Sequence, residues 1–164
     1  NFGGKHGTFD RTSSRAGANW DMPAKMRDDW SCNLVVKGVL SAEAALKLQS
    51  LGVDAIQVSN HGGRQLDGAI APAYALPKIR KAVGPKMPLF FDSGLRSGED
   101  IVKAYALGAD FAFLGRPFSY AIAADGERGL DALTEVLRDE TSITLAQLGL
   151  RDINDVTETA LARP

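Results

Sequence analysis

This chain predicts an α/β architecture around a parallel sheet, and three observations carry that reading. Short apolar runs rich in branched and aromatic residues recur along the chain. Helical patterns separate these runs. One strand–helix unit then repeats at a fixed spacing.

The elements follow in order. Residues 1–20 hold Gly3, Gly4, Gly7, Ser13, Ser14 and Gly17 among few apolar side chains, and are expected to form a flexible loop or lead-in. From Asp21 the pattern turns helical, with Met22, Met26 and Trp30 spaced by four and Pro23 suited to a first turn. Strands are expected at 34–37, 53–59, 88–92 and 110–114. Each is apolar on both faces, as a parallel strand covered on both sides would be. Helices are expected at about 42–51, 73–83 and 99–107, and a longer one at about 129–148. Trp20, Trp30, Phe90, Phe91, Phe111 and Phe113 are expected in the core, and Asp125, Glu127 and Arg128 in a solvated loop.

Offset by 56 residues, Gly38, Ser41, Glu43, Leu51, Gly52 and Asp54 recur as Gly94, Ser97, Glu99, Leu107, Gly108 and Asp110. Each copy reads as a strand end, a glycine turn, a serine cap with an acidic first turn, a helix, and Leu-Gly-x-Asp before the next strand. The cap and the acid satisfy free N–H groups and the helix dipole. The glycine after each helix suits a left-handed residue. A repeated βαβα unit favours a closed (β/α)8 TIM barrel over an open sheet. A whole barrel takes about 250 residues. The 164 residues here are therefore expected to supply roughly the last four βα units, with 21–164 forming a C-terminal half-barrel. The chain is then a fragment or one of two chains.

Composition is that of a globular domain, 45% hydrophobic and 24% charged. A net charge of −1 gives no support for nucleic-acid binding. No run approaches the roughly 18 apolar residues of a membrane span, and no signal peptide is evident. The lone Cys32 fits a reducing compartment, and His6 and Cys32 have no metal-ligand spacing, so no metal site is expected.

The chemistry concentrates in two places. The run Ser59-Asn60-His61-Gly62-Gly63-Arg64-Gln65-Leu66-Asp67 follows the second strand. It sets an imidazole, able to accept a proton near neutral pH, beside a guanidinium fork suited to a carboxylate. In parallel α/β folds, the C-terminal ends of strands are where ligands bind. Asp92, Gly94 and Arg96 follow the third strand, and Gly115 and Arg116 the fourth. Loops after a barrel's last two strands often hold phosphate. Taken alone, His61 could be structural, Arg64 and Lys37 could be surface cations, and Asp92 could simply pair with Arg96.

At these residues, together with Val36-Lys37-Gly38 and Leu114-Gly115-Arg116-Pro117, the chain resembles the FMN-dependent α-hydroxy acid oxidase and dehydrogenase family. That family includes glycolate oxidase, lactate oxidase, flavocytochrome b2, and bacterial lactate and mandelate dehydrogenases. The run from Ser59 to Asp67 is distinctive of it, whereas other barrels share the phosphate motifs. The resemblance implies oxidation of an L-2-hydroxy acid of the lactate, mandelate or glycolate type to the 2-keto acid. It implies that His61 takes the substrate proton and Arg64 clamps its carboxylate. It also implies FMN held by Lys37, Asp92, Gly94, Arg96, Gly115 and Arg116, with Asp92 accepting from ribityl hydroxyls. Ser59 would line the flavin or only pack. Electrons would pass to oxygen, a quinone or a cytochrome. The expected partners are a preceding half-barrel and further copies in a homo-oligomer. The expected location is the cytoplasm, with peripheral attachment to the inner membrane left open. The competing readings are a half-barrel that binds FMN or phosphate without turnover, and an inosine-monophosphate-dehydrogenase-like enzyme. The His61/Arg64 pair argues against the latter.

Overall fold

The computed structural model describes residues 19–161. The expectations for most of the polar lead-in, with Lys5, Arg11 and Arg15, and for His6 lie outside the described residues. Four strands, β1 (Val35–Val39), β2 (Ala55–Val58), β3 (Leu89–Phe91) and β4 (Phe111–Ala112), lie side by side in chain order, all parallel. They are linked and flanked by α1 (Asp21–Asp29), α2 (Ala42–Ser50), α3 (Pro72–Val83), α4 (Gly98–Ala106) and α5 (Arg116–Gln147). This is the predicted alternation: an uninterrupted arc of a β/α barrel.

Strand register explains the packing. Ile56 lies beside Leu89, and Val58 beside Phe91. They bury one face of the sheet against Ala45 and Leu48 of α2 and Leu76 and Ile79 of α3. Leu76 and Ile79 are 0% exposed, and burying such side chains contributes about 1.5–3 kcal/mol each. A second cluster joins Val102 and Ala106 of α4 to Leu145 of α5 and Val156. There α4 approaches α5 so closely that a Cβ on Gly98 would strike the Thr141 backbone. Glu140 of α5 takes the Gly98 N–H at 2.7 Å, capping α4 from outside.

The predicted caps are present. Ser41 Oγ accepts from Ala44 N–H and Ser97 Oγ from Asp100 N–H, both at 3.1 Å. The repeat also runs deeper than its sequence signature. Arg27 of α1 pairs with Asp54 at 2.7 Å, and Asp54 takes the Leu34 N–H at 2.7 Å. Arg80 of α3 pairs with Asp110, and Asp110 takes the Leu89 N–H at 2.7 Å. Each arginine also donates to the glycine carbonyl of its Leu-Gly-x-Asp turn, Gly52 or Gly108. Each aspartate thus ties the start of its strand to the strand before it. The arginines are spaced 53 apart rather than 56, so the matching sequence positions do not reveal them.

Three expectations change. The strands are covered on one face only. In-register residues of a parallel sheet share a face, so Lys37, Gln57, Phe90 and Phe111 form one row on the side away from the core. Phe111 and Phe113 are accordingly 51% and 42% exposed, although both pack edge-to-face on Phe90 and lie tilted against each other. Trp20 and Trp30 are also outside the core, at the ends of α1, which buries none of its residues. Finally, α5 starts at Arg116, not near residue 129. Non-helical Asp125 and Gly126 break its periodicity, which hides the first segment, and the Asp125–Arg128 pair at 2.8 Å sits on that kink.

Candidate functional site

The parallel strands bring all their C-terminal ends to one edge, and the predicted residues gather there. A cavity of about 550 Å³ is lined by Lys37, His61, Arg64, Arg96, Gly115 and Arg116. Gly94 lines it as well. Among the described residues, Arg64, Arg96 and Arg116 make no ion pair. Arg96 spends one N–H on the Leu95 carbonyl at 3.1 Å, and Arg116 makes one long contact to the Gly62 carbonyl at 3.4 Å. The cavity therefore carries positive charge that the protein leaves largely unneutralised.

The first segment of α5 starts at the cavity rim. Its N-cap, Gly115, provides no side-chain hydrogen bond, and Pro117 occupies the first turn. Free N–H groups and the helix dipole there favour an anion. A short helix leading out of the last strand's loop is a recurrent phosphate-binding device of β/α barrels.

His61 lies in a single 3₁₀ turn, His61–Gly63, just past β2. Its φ is +58°, unusual for a residue with a Cβ. The imidazole lies against Gly38, which has φ +95° at a bulge in β1. A Cβ on Gly38 would sit 3.1 Å from His61 Cε1. Glycine is needed there both for the bulge and for the ring.

Asp92 directly follows β3 and lines the cavity. Its Oδ2 accepts from Gln57 Nε2 at 2.7 Å and from Lys37 Nζ. Its Oδ1 accepts from Ser59 Oγ at 2.5 Å and Ser93 Oγ at 2.6 Å. Burial pushes the carboxyl up, but the bonds from Lys37, Ser59 and Ser93 and the Lys37 charge outweigh it and hold Asp92 below the usual aspartate value.

Each oxygen of Asp92 holds two protein donors, and the residue also lines the cavity. Asp92 does not pair with Arg96; its cation is Lys37. Ser59 is 0% exposed and stands behind the cavity wall, not on it. Gln57, Asn60 and Ser93 are site residues that the sequence reading passed over. Gln57 carried a signal, an amide in the middle of an otherwise apolar strand. Ser93 carried only its place in the Asp92-Ser93-Gly94 turn.

Fold and cavity together define a β/α-barrel protein with an arginine-rich cavity at its strand C-termini. Comparison with known proteins narrows this. The sequence model of the FMN-dependent dehydrogenase family matches residues 2–163. The chain is 44% identical over 143 residues to an L-lactate dehydrogenase of Caulobacter vibrioides (strain NA1000 / CB15N), covering 87% of this chain and 37% of that protein. It is 42% identical over 145 residues to an L-lactate dehydrogenase of Pectobacterium atrosepticum, covering 88% and 38%. Among solved structures it is similar to the monotopic membrane protein (S)-mandelate dehydrogenase, with a TM-score of 0.86 at 44% identity, over 91% of this chain and 39% of that one. A mandelate oxidase structure gives 0.81 at 37% identity, over 86% and 43%. The chain belongs to the FMN-dependent dehydrogenase family. It spans less than half the length of the relatives it matches.

Proposed function

We propose that this chain supplies the FMN phosphate site and the His/Arg pair of an enzyme that oxidises an L-2-hydroxy acid to the 2-keto acid. The observation that carries the reading is one cavity lined by both groups, His61 and Arg64 together with Arg96, Gly115 and Arg116. The unpaired arginines, the Gly94 turn and the free N–H groups opening α5 fit a phosphate dianion in charge and donor geometry. The chemistry FMN supplies when bound is acceptance of the substrate's electron pair, for delivery to oxygen, a quinone or a cytochrome. Lys37, held by Asp92 on the cavity wall, provides positive charge to offset negative charge on reduced flavin. His61 accepts a substrate proton, and Arg64 grips the carboxylate with its fork and so fixes the reacting carbon.

The sheet face carrying half-buried Phe90 and exposed Phe111 and Phe113 is the surface that the rest of the barrel would cover. Among the described residues no helix is long and apolar enough to cross a membrane. With a monotopic relative in view, peripheral attachment to the inner membrane is the location that goes with this reading.

The test is anaerobic addition of L-lactate, (S)-mandelate or glycolate to the full-length, FMN-loaded protein. Flavin absorbance should bleach, and His61→Ala should slow bleaching by about 10²–10⁴-fold. Undiminished bleaching in His61→Ala would remove the base assignment. Bound FMN that none of the three acids bleaches would leave a phosphate-holding unit without turnover.

A further inference from the structure

Ser93 has φ +84°, a left-handed conformation that glycine adopts freely and a Cβ disfavours. Its hydroxyl is fully used. The proton goes to Asp92 Oδ1 at 2.6 Å, and the lone pairs take the N–H groups of Asn60 at 3.3 Å and Gly62 at 3.0 Å. Those two amides flank His61. The His61 N–H itself goes to Ser59 Oγ at 3.1 Å. Ser59 Oγ is equally saturated, with its proton on Asp92 Oδ1 at 2.5 Å and its other lone pair taken by Lys37 Nζ at 3.0 Å.

A hydroxyl has one proton and two lone pairs. Both serines can accept from the loop only because the Asp92 carboxylate claims their protons. Three consecutive amides, of residues 60 to 62, therefore hang from one carboxylate oxygen through two hydroxyls. Among the described residues, His61 and Ser93 are the non-glycine residues with positive φ. The hydroxyl of one grips the backbone on both sides of the other. Backbone strain persists where surrounding contacts over-determine it, and it clusters at functional sites.

We propose, resting on the reading of His61 as base, that Ser93 is a positioning residue, oriented by Asp92, that holds His61 in its left-handed turn with the ring against Gly38 at the cavity wall. Serine stands at a glycine-like position because its hydroxyl is needed there.

Two variants of the full-length, FMN-loaded protein test this. Ser93→Gly removes the hydroxyl and relieves the strain, whereas Ser93→Ala removes the hydroxyl and keeps it. Both should speed amide hydrogen exchange at Asn60 and Gly62 by about tenfold or more, since the bonds that protect them are gone. Both should lower kcat by about 10–100-fold, the scale of a small misplacement of a reacting group, and change KM less. Ser93→Gly should keep the wild-type thermal midpoint, so that activity falls without stability. A wild-type kcat in Ser93→Gly overturns the proposal. So does a loss of kcat and thermal midpoint together, with exchange at Asn60 and Gly62 unchanged, because that marks a general structural role. His61→Ala run alongside separates the two readings: a wild-type rate there removes the base assignment, whereas an inactive His61→Ala beside a fully active Ser93→Gly removes only the positioning role.

Discussion

Lys37 on β1 and Asp92 directly after β3 form an ion pair that spans the intervening strand β2. Gln57 of β2 joins it from the middle, 2.7 Å from the same carboxylate oxygen. Three neighbouring strands thus share one acceptor at the edge where the cavity opens. The pair is a crossbar for the sheet and a holder for the cavity's lysine.

Asp92→Asn should therefore loosen the crossbar. The amide nitrogen would face donors on one side or the other, leaving at least one unpaired. A destabilisation of about 1–3 kcal/mol is expected, at the lower end because the Lys37 side chain is 42% exposed and solvent screens its share. Urea unfolding measures it, and an unchanged midpoint would contradict the crossbar.

The two arginine clasps should differ in weight. Arg80 donates to the carbonyls of Gly84, Gly108 and Met87 as well as to Asp110, in a largely covered setting. Arg27 makes its bonds at a more exposed site. Arg80→Met should cost about 2–4 kcal/mol and Arg27→Met about half of that, since carbonyls left dry cost more than carbonyls that water can reach. Equal losses in thermal or urea unfolding would refute the ordering. Gly108→Ala should act like a milder Arg80→Met, because its Cβ would lie 2.9 Å from Arg80 Cγ.

Acid should weaken the fold through Asp54 and Asp92. The Leu34 N–H, ahead of the Arg27 bond and charge, holds Asp54 below the ordinary 3.8. For Asp92, burial is outweighed by Lys37, Ser59 and Ser93, with the same result. Both carboxylates bind protons less readily in the folded chain than in the unfolded one. Their contribution is full above about pH 4 and drains away as pH falls through the lowered folded values. Urea midpoints taken from pH 6 down to pH 2.5 should fall, and the double variant Asp54→Asn/Asp92→Asn should show a shallower fall from a lower start. An equal slope in both proteins would exclude these two groups as the cause.

The arginines after β3 and β4 should recognise a phosphate specifically. Arg96→Ala and Arg116→Ala should each weaken FMN binding by about 10–100-fold, the value of a charge-assisted hydrogen bond. Riboflavin, which lacks the phosphate, should bind wild type and variants alike in a fluorescence titration. An equal loss for both flavins would place these arginines on the ring instead. The FMN effect should shrink at high salt if solvent reaches the guanidinium groups.

Periodicity made the parallel α/β arc legible before any coordinates. Branched and aromatic runs, Ser41 and Ser97 as caps, and the Gly52-x-Asp54 and Gly108-x-Asp110 turns are all local patterns, carried within a strand or a helical turn. The distinctive run from Ser59 to Asp67 and the pair Arg96 and Arg116 were legible as well, because strand ends announce themselves. The partners of Asp92 were not. Gln57 lies 35 positions away and Lys37 lies 55, and only sheet register sets them around one carboxylate. The left-handed turns of His61 and Ser93 and the arginine clasps stayed hidden for the same reason, whereas the first segment of α5 was hidden by the local break at Asp125 and Gly126. Local spacing fixes which residues form an element, whereas the contacts between elements depend on how the strands align and which face each helix covers.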